Sequence, residues 1–425
     1  MKFLHLADLH IGKRVCEHNM LEDQEYILGK VLEVVEAEKP CAVLIAGDVY
    51  DKSVPSAEAV SVLDDFLVSL SAAGAKVFVI SGNHDSAERI AFGGRLMQSK
   101  GVFMSPVYDG NFSPVTLHDE FGEVDVWMLP FVRPADVRAV ENRDSAAGSS
   151  CGGDAPEAKP GNATVIADFT DAVRVAISRM KFTAGRRNVL LSHQFVTGAE
   201  RSDSEENIGG LDNVDASVFA GFDYVALGHI HKPQDILTSC NGGPVARARY
   251  CGTPLKYSLS EAVHEKSVTV VELAGITDIA QNLAQLNVRT VPLVPLHDVR
   301  KVRGMFADIV SPKFIAEQET AGKKLDDYVY VELTDEIDIP DAVMKLRGTY
   351  KNLMTLTYDN TRTRMQSTKM EAVNVKEKSP MELFEDFYKE QNGIEMSSEQ
   401  RELMDSLIHK IWETDSSEIC EEVAG

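Results

Sequence analysis

The sequence predicts a layered α/β fold, and three observations support that prediction. From residue 1 to about residue 273, short apolar runs alternate with helical patterns, as they do where helices cover a sheet. Residues 23–38 and 56–73 are predicted to be amphipathic helices. Five apolar runs end in polar clusters, which is typical of strands whose carboxyl ends border a binding crevice.

Length and composition narrow the class of protein. A chain of 425 residues is long enough for two or three domains, and a hydrophobic share of 44% is that of a globular protein. No run of about 18 apolar residues would span a bilayer, and the segment MKFLHLADLH lacks the apolar stretch of a signal peptide. We therefore expect a cytoplasmic protein without membrane association. The six cysteines lie far apart, which argues against a zinc knuckle or a disulfide framework.

The net charge of −23 argues against a protein that binds nucleic acid over a broad basic surface. Such binding depends on Lys and Arg side chains that displace counterions from the phosphates. A phosphate-bearing substrate must therefore be attracted locally, by a site that supplies its own positive charge.

Changes in pattern divide the chain into four segments. Residues 1–275 form the α/β domain, and residues 286–358 carry a second pattern of strands and helices that predicts a small α/β domain. Residues 359–378 are polar and are predicted to be a linker. Residues 379–415 contain two helix-start signals, SPME at 379–382 and SSEQ at 397–400, each followed by an apolar stripe.

The two predicted C-terminal helices carry more large apolar side chains than they can bury against each other. Either they dock on the protein's own body or they bind a partner helix, and the preceding linker favours the partner. The candidate partner-binding residues are Leu383, Phe384, Phe387, Leu407, Ile411 and Trp412.

One stretch of the α/β domain has a different composition from its surroundings. Residues 141–164 are rich in Gly, Ser, Ala and Pro and poor in large apolar side chains. We expect this stretch to be a mobile loop inserted at the surface.

The polar clusters at the five strand ends have the composition of a metal site. Imidazole nitrogens with carboxylate and amide oxygens, and without thiolates, suit a divalent ion such as manganese, iron or zinc. Seven residues can hold two ions if one carboxylate bridges them, and Asp48, beside Gly47 at a strand end, is the expected bridge. The candidate ligands are Asp8, His10, Asp48, Asn83, His193, His229 and His231.

Two such cations would carry more positive charge than Asp8 and Asp48 neutralise, which suits hydrolysis at a phosphodiester. His84 follows the candidate ligand Asn83 and is the candidate acid for the leaving oxygen, with Asp85 orienting its ring. For Asp51 and Asp85 the alternative is that each accepts backbone N–H groups at a helix start.

The motifs resemble those of the calcineurin-like metallophosphoesterases. DLH at 8–10, GDVYD at 47–51, GNHD at 82–85, His193 and GHIH at 228–231 follow that family's order. Within it, HLADLHIGKR, SGNHDSAER and YCGTPLKYSLSE are most similar to the bacterial SbcD nuclease subunits. The resemblance implies a layered β-sandwich flanked by helices, a small α/β capping domain that positions DNA, and a C-terminal helical pair.

The resemblance also implies cofactors, activity and partners. Asp8, His10, Asp48 and His231 would hold one Mn²⁺, and Asp48, Asn83, His193 and His229 the other; Mg²⁺ or another divalent metal is the alternative. His84 would be catalytic. The implied activities are ATP-dependent double-strand exonuclease and single-strand or hairpin endonuclease, in DNA repair and recombination. The implied assembly is a nuclease homodimer within a heterotetramer, with an SbcC-type ATPase bound through the C-terminal helices.

Two other functions are compatible with parts of the pattern. A free-standing phosphoesterase acting on nucleotides or phosphomonoesters would share the metal site, but it has no need of the helical pair. A non-catalytic scaffold would have lost ligands, whereas all seven are present here.

Asp51 stands where archaeal and eukaryotic relatives tend to have histidine, which implies a supporting position behind the ligands.

Overall fold

The apolar runs of the sequence form the central strands of two sheets in the computed structural model. AVLIA at 42–46 and YVALG at 224–228 are buried along their whole length, as strands covered on both faces are. The structure describes residues 1–148, 166–200, 212–238, 246–278, 283–364, 379–392 and 395–413. Within those ranges, no helix combines the length and the apolar character needed to cross a membrane.

The first sheet has six strands. The four strands between Lys2 and Met104 are mutually parallel. The strand Ser267–Asp278 pairs antiparallel with Lys2–Leu6, and Leu283–Pro292 pairs antiparallel with Ser267–Asp278. In spatial order they are Leu283–Pro292, Ser267–Asp278, Lys2–Leu6, Ala42–Ala46, Lys76–Ile80 and Val102–Met104.

The second sheet also has six strands, with four parallel strands in the middle and an antiparallel strand at each edge. In spatial order they are Gln234–Thr238, Ala246–Tyr250, Tyr224–Gly228, Arg187–His193, Gly122–Leu129 and Val115–Asp119.

The two sheets pack face to face. Phe3, Leu44 and Phe78 of the first sheet form one apolar cluster with Leu191 and Tyr224 of the second, and all five are fully buried. Burial of these large side chains between the two sheets stabilises the domain, together with the apolar clusters beneath the helices. The predicted β-sandwich is therefore confirmed.

Helices cover the outer faces of the sandwich. Leu21–Glu38 and Ala57–Ala72 pack on the first sheet, which confirms both helices predicted from the sequence. Pro134–Gly148 and Phe169–Ser178 pack on the second. Two shorter α-helices, Ala87–Ala91 and Gly94–Met97, also belong to the described part of this domain.

A separate sheet of three parallel strands follows, with its own apolar core. We call residues 297–364 the small unit. Its strands are Val299–Gly304, Tyr328–Leu333 and Asn352–Tyr358, and its helices are Phe306–Ile309, Pro312–Thr320 and Ala342–Arg347. The expected start at residue 286 lies inside Leu283–Pro292, which pairs with Ser267–Asp278 in the first sheet, so the first sheet continues further along the chain than expected.

The stretch 141–164 is not a loop at its start. The helix Pro134–Gly148 continues through residue 148, because Arg179 holds its last turns through Glu141 at 2.6 Å and Asp144 at 2.8 Å. The remainder, residues 149–164, lies outside the described residues.

The C-terminal helices are Pro380–Asn392 and Ser398–Glu413, and both predicted capping boxes are confirmed. The Glu382 backbone N–H donates to the Ser379 hydroxyl at 3.2 Å. In return, the Ser379 backbone N–H donates to the Glu382 carboxylate at 2.6 Å. Ser397 and Gln400 exchange the same pair of hydrogen bonds. Of the expected linker, residues 361–364 form a helical turn and 365–378 lie outside the described residues.

Candidate metal centre

All seven predicted ligands meet at one edge of the sandwich. Each follows or ends a parallel strand, and the carboxyl ends of the parallel strands of both sheets lie at this edge. Asp8, His10 and His231 form one group whose ligand atoms lie within 4.8 Å of one another, and Asp8, Asp48 and His193 form another. Asn83 joins through its Oδ1 atom, which lies 3.0 Å from both His193 Nε2 and His229 Nδ1.

The backbone of these loops is held in an uncommon conformation. Asp8, His10, Asp48 and His229 have positive φ angles of 54°, 45°, 47° and 105°. Non-glycine residues adopt such angles at a cost, and they persist where the surrounding structure enforces them. Here the loops after two strands bind each other, since the Asp8 and His10 N–H groups donate to the Gly47 and Asp48 carbonyls at 3.0 Å.

Glycine is required at two positions where the strand ends approach each other closely. A Cβ atom on Gly228 would lie 1.9 Å from the Ala46 carbonyl oxygen, and one on Gly82 would lie 2.1 Å from Asp48 Oδ1. Both distances are below any van der Waals contact. The motif glycines therefore allow the two sheets to bring their loops together.

Asp8, His10 and His231 form the first group of ligands. The Nε2 atoms of His10 and His231 lie 3.2 Å apart, and one Asp8 oxygen accepts from the His229 N–H at 2.9 Å. The other, Asp8 Oδ2, is buried and has no hydrogen-bond partner among the described residues. A buried carboxylate oxygen of this kind needs a counterpart, and a cation between it and the two rings would provide one.

Glu261 fixes the orientation of His231. Its carboxylate accepts from His231 Nδ1 at 3.3 Å, so the unprotonated Nε2 of the neutral ring faces the centre. Burial opposes the charge on Glu261, but His231 and the buried Lys266 outweigh it and hold the pKa of this carboxyl well below its usual range. The sequence patterns did not predict this role, although Glu261 lies in the segment YCGTPLKYSLSE, which carries part of the family resemblance.

His193 and Asn83 belong to the second group of ligands. His193 Nδ1 donates to the Ala46 carbonyl at 2.8 Å, so its Nε2 carries the lone pair in the neutral ring. That nitrogen lies 3.0 Å from Asn83 Oδ1 and 3.4 Å from Asp48 Oδ2. Burial disfavours the charged ring, but the Asp48 carboxylate outweighs burial and raises the pKa of His193 to about 9. A positive charge, carried by a proton or a metal ion, is thus favoured at this point.

Asp48 belongs to the second group and also approaches His10 of the first. Its Oδ2 atom is 3.4 Å from His193 Nε2 and 3.7 Å from His10 Nε2, while Oδ1 accepts from the His84 N–H at 2.9 Å. Burial would raise the pKa of Asp48, but the surrounding imidazoles, His193 first, hold it well below its usual range. Asp48 therefore reaches ligands of both groups, as the proposed bridge must.

His84 lies at the open side of the group, with Nε2 4.0 Å from Asp48 Oδ2. Its Nδ1 donates to the Asp51 backbone carbonyl at 3.0 Å. The expectation that Asp85 orients this ring is wrong, because the Asp85 carboxylate accepts from the backbone N–H groups of Val49, Tyr50 and Gly82 at 2.9–3.0 Å. Asp85 thus accepts backbone N–H groups, as in the alternative stated for it, but these belong to the loops after two strands and not to a helix start, so Asp85 joins two ligand loops.

Asp51 lies behind His10, as expected. Its Oδ1 atom is 3.7 Å from His10 Nδ1 and 2.6 Å from Lys13 Nζ. Gln24 supports the same loop by donating to the His10 carbonyl at 2.7 Å and accepting from the Gly12 N–H at 2.9 Å. Sequence patterns gave no indication of the role of Gln24, because it lies on the buried face of an ordinary amphipathic helix.

These residues fit a pair of divalent transition ions. The donors are imidazole nitrogens with carboxylate and amide oxygens, and Asp48 reaches both groups. Among the described residues, Asp8 Oδ2 has no hydrogen-bond partner that would compete with an ion. A cleft of about 780 Å³ opens beside Asn83 and His229, wide enough for a substrate to reach the centre. Phe131 and Phe195 line it and place their rings 6.4 Å and 6.3 Å from those of His193 and His229.

Comparisons with known proteins agree with this geometry. Residues 1–233 match the family model described as "Calcineurin-like phosphoesterase", and residues 295–392 match the "Type 5 capsule protein repressor C-terminal domain". A protein from Staphylococcus epidermidis that is named as the D subunit of the nuclease SbcCD is 29% identical over 418 residues. These residues cover 96% of this chain and 98% of that relative.

Among solved structures, a dimetal phosphatase from Danio rerio is similar at 13% identity and a TM-score of 0.39, covering 69% of this chain and 96% of that one. TT1561 of Thermus thermophilus is similar at 12% identity and a TM-score of 0.34, covering 68% and 98%. Superpositions at these scores add nothing to the assignment. Because the first family model spans more than half of its length, the chain belongs to the calcineurin-like phosphoesterase family, of which it is an SbcD-type member.

Proposed function

We propose that the chain is the nuclease subunit of a cytoplasmic complex with an SbcC-type ATPase. In this proposal it cleaves DNA in repair and recombination, as an ATP-dependent double-strand exonuclease and a single-strand or hairpin endonuclease. The observation that carries the proposal is the position of Asp48 between two groups of inward-facing imidazoles. A carboxylate shared in this way can hold two ions close enough together for phosphodiester hydrolysis, and the naming of the Staphylococcus epidermidis relative as a nuclease subunit supports a nucleic acid as the substrate.

Two Mn²⁺ ions are the proposed cofactors. Asp8, His10, Asp48 and His231 would hold one ion, and Asp48, Asn83, His193 and His229 the other. Four imidazoles favour Mn²⁺ over Mg²⁺, which prefers oxygen ligands and retains its water. When bound, such ions act as Lewis acids toward the phosphoryl oxygens and lower the pKa of an attacking water.

His84 is the proposed acid for the leaving oxygen. The hydrogen bond from its Nδ1 to the Asp51 carbonyl fixes the ring, so that Nε2 faces the centre. In the protonated ring this Nε2–H can donate to an oxygen that departs on the open side of the site. The ring is 43% exposed, which gives it access to both substrate and solvent protons.

The C-terminal helices are the proposed surface for the ATPase. Phe387 is 57% exposed and Leu407 is 40% exposed, while Leu383 and Phe384 are half-buried. The side chains of Ile411 and Trp412 lie outside the described residues. Exposed apolar side chains on one helical pair are typical of a surface that binds a partner helix.

A homodimer of this nuclease is proposed through the first domain. Phe92 and Leu96, on and beside its short helices, are 84% and 81% exposed. Two large apolar side chains exposed this close together can form a patch that a partner covers. Light scattering should give twice the chain mass for the purified protein and the chain mass alone for Phe92→Glu; a monomeric wild-type protein would contradict the dimer.

The function is tested by assaying the purified chain on linear duplex, hairpin DNA and a phosphomonoester, with Mn²⁺ or Mg²⁺. Each assay is run with and without a co-expressed SbcC-type ATPase and ATP. We expect Mn²⁺-dependent DNA cleavage, with duplex degradation that requires the partner and ATP. A chain that hydrolyses the phosphomonoester but leaves every DNA substrate intact would contradict the proposal.

A further inference from the structure

We infer that Asp23 is a positioning residue. It docks the small unit onto the helix Leu21–Glu38 and so determines where DNA meets the metal centre. The inference rests on the proposed function, because it assumes that the small unit positions DNA. Its basis is a buried polar contact between the helix Leu21–Glu38 and residues of the small unit.

Asp23 accepts its hydrogen bonds from the small unit. The Tyr328 hydroxyl donates to Asp23 Oδ2 at 2.7 Å, and His297 donates from its backbone N–H at 3.2 Å and from Nδ1 at 3.1 Å. The Asp23 side chain is 2% exposed and that of His297 is 17% exposed. A carboxylate removed from water to this degree needs such partners, so separation of the two units would leave it without compensation.

Apolar and aromatic contacts surround this carboxylate. Met20 forms one buried cluster with Val299 and Tyr328 of the small unit. The Tyr328 ring also meets the rings of His297 and His18 edge-on, at centroid distances of 5.7 and 5.9 Å. Asp23 therefore lies in a packed interface, where water competes poorly for its hydrogen bonds.

The residue next to Asp23 holds the metal centre. Gln24 is buried, donates to the His10 carbonyl at 2.7 Å and to the Tyr257 hydroxyl at 3.0 Å, and Tyr257 donates to the Leu9 carbonyl at 2.6 Å. Asp23 and Gln24 belong to the same helical turn. The small unit is thus fixed relative to His10 through Asp23 and Gln24. DNA bound by the small unit is therefore held at a fixed position relative to the metal centre.

The test compares Asp23→Ala with wild type in two measurements. Hydrogen–deuterium exchange of the His297 backbone amide reports docking, and we expect faster exchange in the variant. Cleavage reports positioning, through kcat/KM measured with Mn²⁺, the SbcC-type ATPase and ATP on an oligonucleotide duplex and on bis(p-nitrophenyl) phosphate, which has no polynucleotide strand for the small unit to hold. We expect kcat/KM on the duplex to fall about tenfold more than on the small diester, mainly through KM.

Three further variants keep the result interpretable. Asp23→Asn retains one acceptor and should give an intermediate effect in both measurements. Tyr328→Phe deletes a single donor and reports on the same interface if Asp23→Ala folds poorly. Asp338→Asn, which breaks an exposed ion pair with Arg362 elsewhere in the small unit, should match wild type.

Two results would overturn the inference. Unchanged protection of the His297 amide in Asp23→Ala would show that this carboxylate does not dock the small unit. Equal losses on the duplex and on the small diester would show a general structural effect without a positioning role. A wild-type protein that cleaves no DNA would instead contradict the proposed function, and the exchange measurement would still decide whether Asp23 docks the small unit.

Discussion

His231 donates a hydrogen bond from Nδ1 to the Glu261 carboxylate, 3.3 Å away, and both side chains are buried. The same carboxylate pairs with the buried Lys266. Glu261 thus determines which nitrogen of His231 faces the metal centre. It lies outside the strand-end motifs that carry the ligands.

Replacing Glu261 by Gln should weaken Mn²⁺ binding about 10- to 100-fold, because His231 loses the partner that fixes its tautomer. Lys266 also loses its charged partner, so the free energy of unfolding should fall by about 3 kcal/mol. Calorimetric titration with Mn²⁺ and urea unfolding measure the two effects. Glu265→Gln, at an exposed neighbouring residue, is the control and should match wild type. Wild-type Mn²⁺ affinity in the Glu261 variant would refute this role.

Replacing His84 by Gln should reduce cleavage by about 10²- to 10⁴-fold through loss of the proton donor. Metal content should be retained, because the seven proposed ligands are unchanged. Elemental analysis and a nuclease assay with Mn²⁺ test both statements. His118→Gln, at a ring that is 69% exposed on the second sheet, should leave cleavage unchanged. A His84 variant with full activity would remove this residue from the mechanism.

Replacing Gly228 by Ala should disrupt the metal centre, because the added Cβ would lie 1.9 Å from the Ala46 carbonyl oxygen and 2.7 Å from His193 Nδ1. We expect a loss of about 1–3 kcal/mol in unfolding free energy together with weaker Mn²⁺ binding. The control is Gly29→Ala, in the helix Leu21–Glu38. There, apart from the chain neighbours and the helix's own backbone, no atom of the described residues lies within 4 Å of the new Cβ. That substitution should be neutral or stabilising. Normal Mn²⁺ binding by the Gly228 variant would show that the loops tolerate separation.

His5 should make the protein less stable in acid. It is fully buried against Tyr224, and burial, with a smaller effect of Arg249, lowers the pKa of His5 to about 3. In the unfolded chain the pKa of His5 is near 6.5. Below this pH the unfolded state therefore binds a proton that the folded state does not bind. The stability contributed by neutral His5 is therefore present above about pH 6.5 and is lost as the pH falls toward 3.

Urea unfolding at pH 7 and pH 5.5 tests this effect of His5. Between these two pH values, wild type should lose about 1 kcal/mol more than His5→Gln, whose side chain does not titrate. Equal losses in the two proteins would mean that His5 is not the group responsible.

The catalytic part of the fold was predictable because its signals are local. Strand-end motifs such as GDVYD place their polar residues at fixed offsets from a buried strand, and parallel strands end at the same edge. The capping boxes at Ser379 and Ser397 were predictable for the same reason, since each involves only four consecutive residues.

The features that escaped prediction depend on distant contacts. Residues 283–292 join the first sheet only because they pair with 267–278. Their alternation of apolar and polar residues, taken alone, led to the prediction that the small domain begins at residue 286. The helical turns at 141–148 depend on Arg179, about 35 residues later. Glu261 and Gln24 acquire their roles when the chain brings them against His231 and His10, which no spacing rule records.

The most direct test of the account is an anomalous difference map from a crystal of the protein soaked in Mn²⁺. We predict two peaks, one beside Asp8, His10 and His231 and the other beside Asn83, His193 and His229, with Asp48 in contact with both. The Asp48→Asn variant should weaken both peaks. A map without density at these residues, or a single peak that Asp48 does not touch, would contradict the two-metal centre.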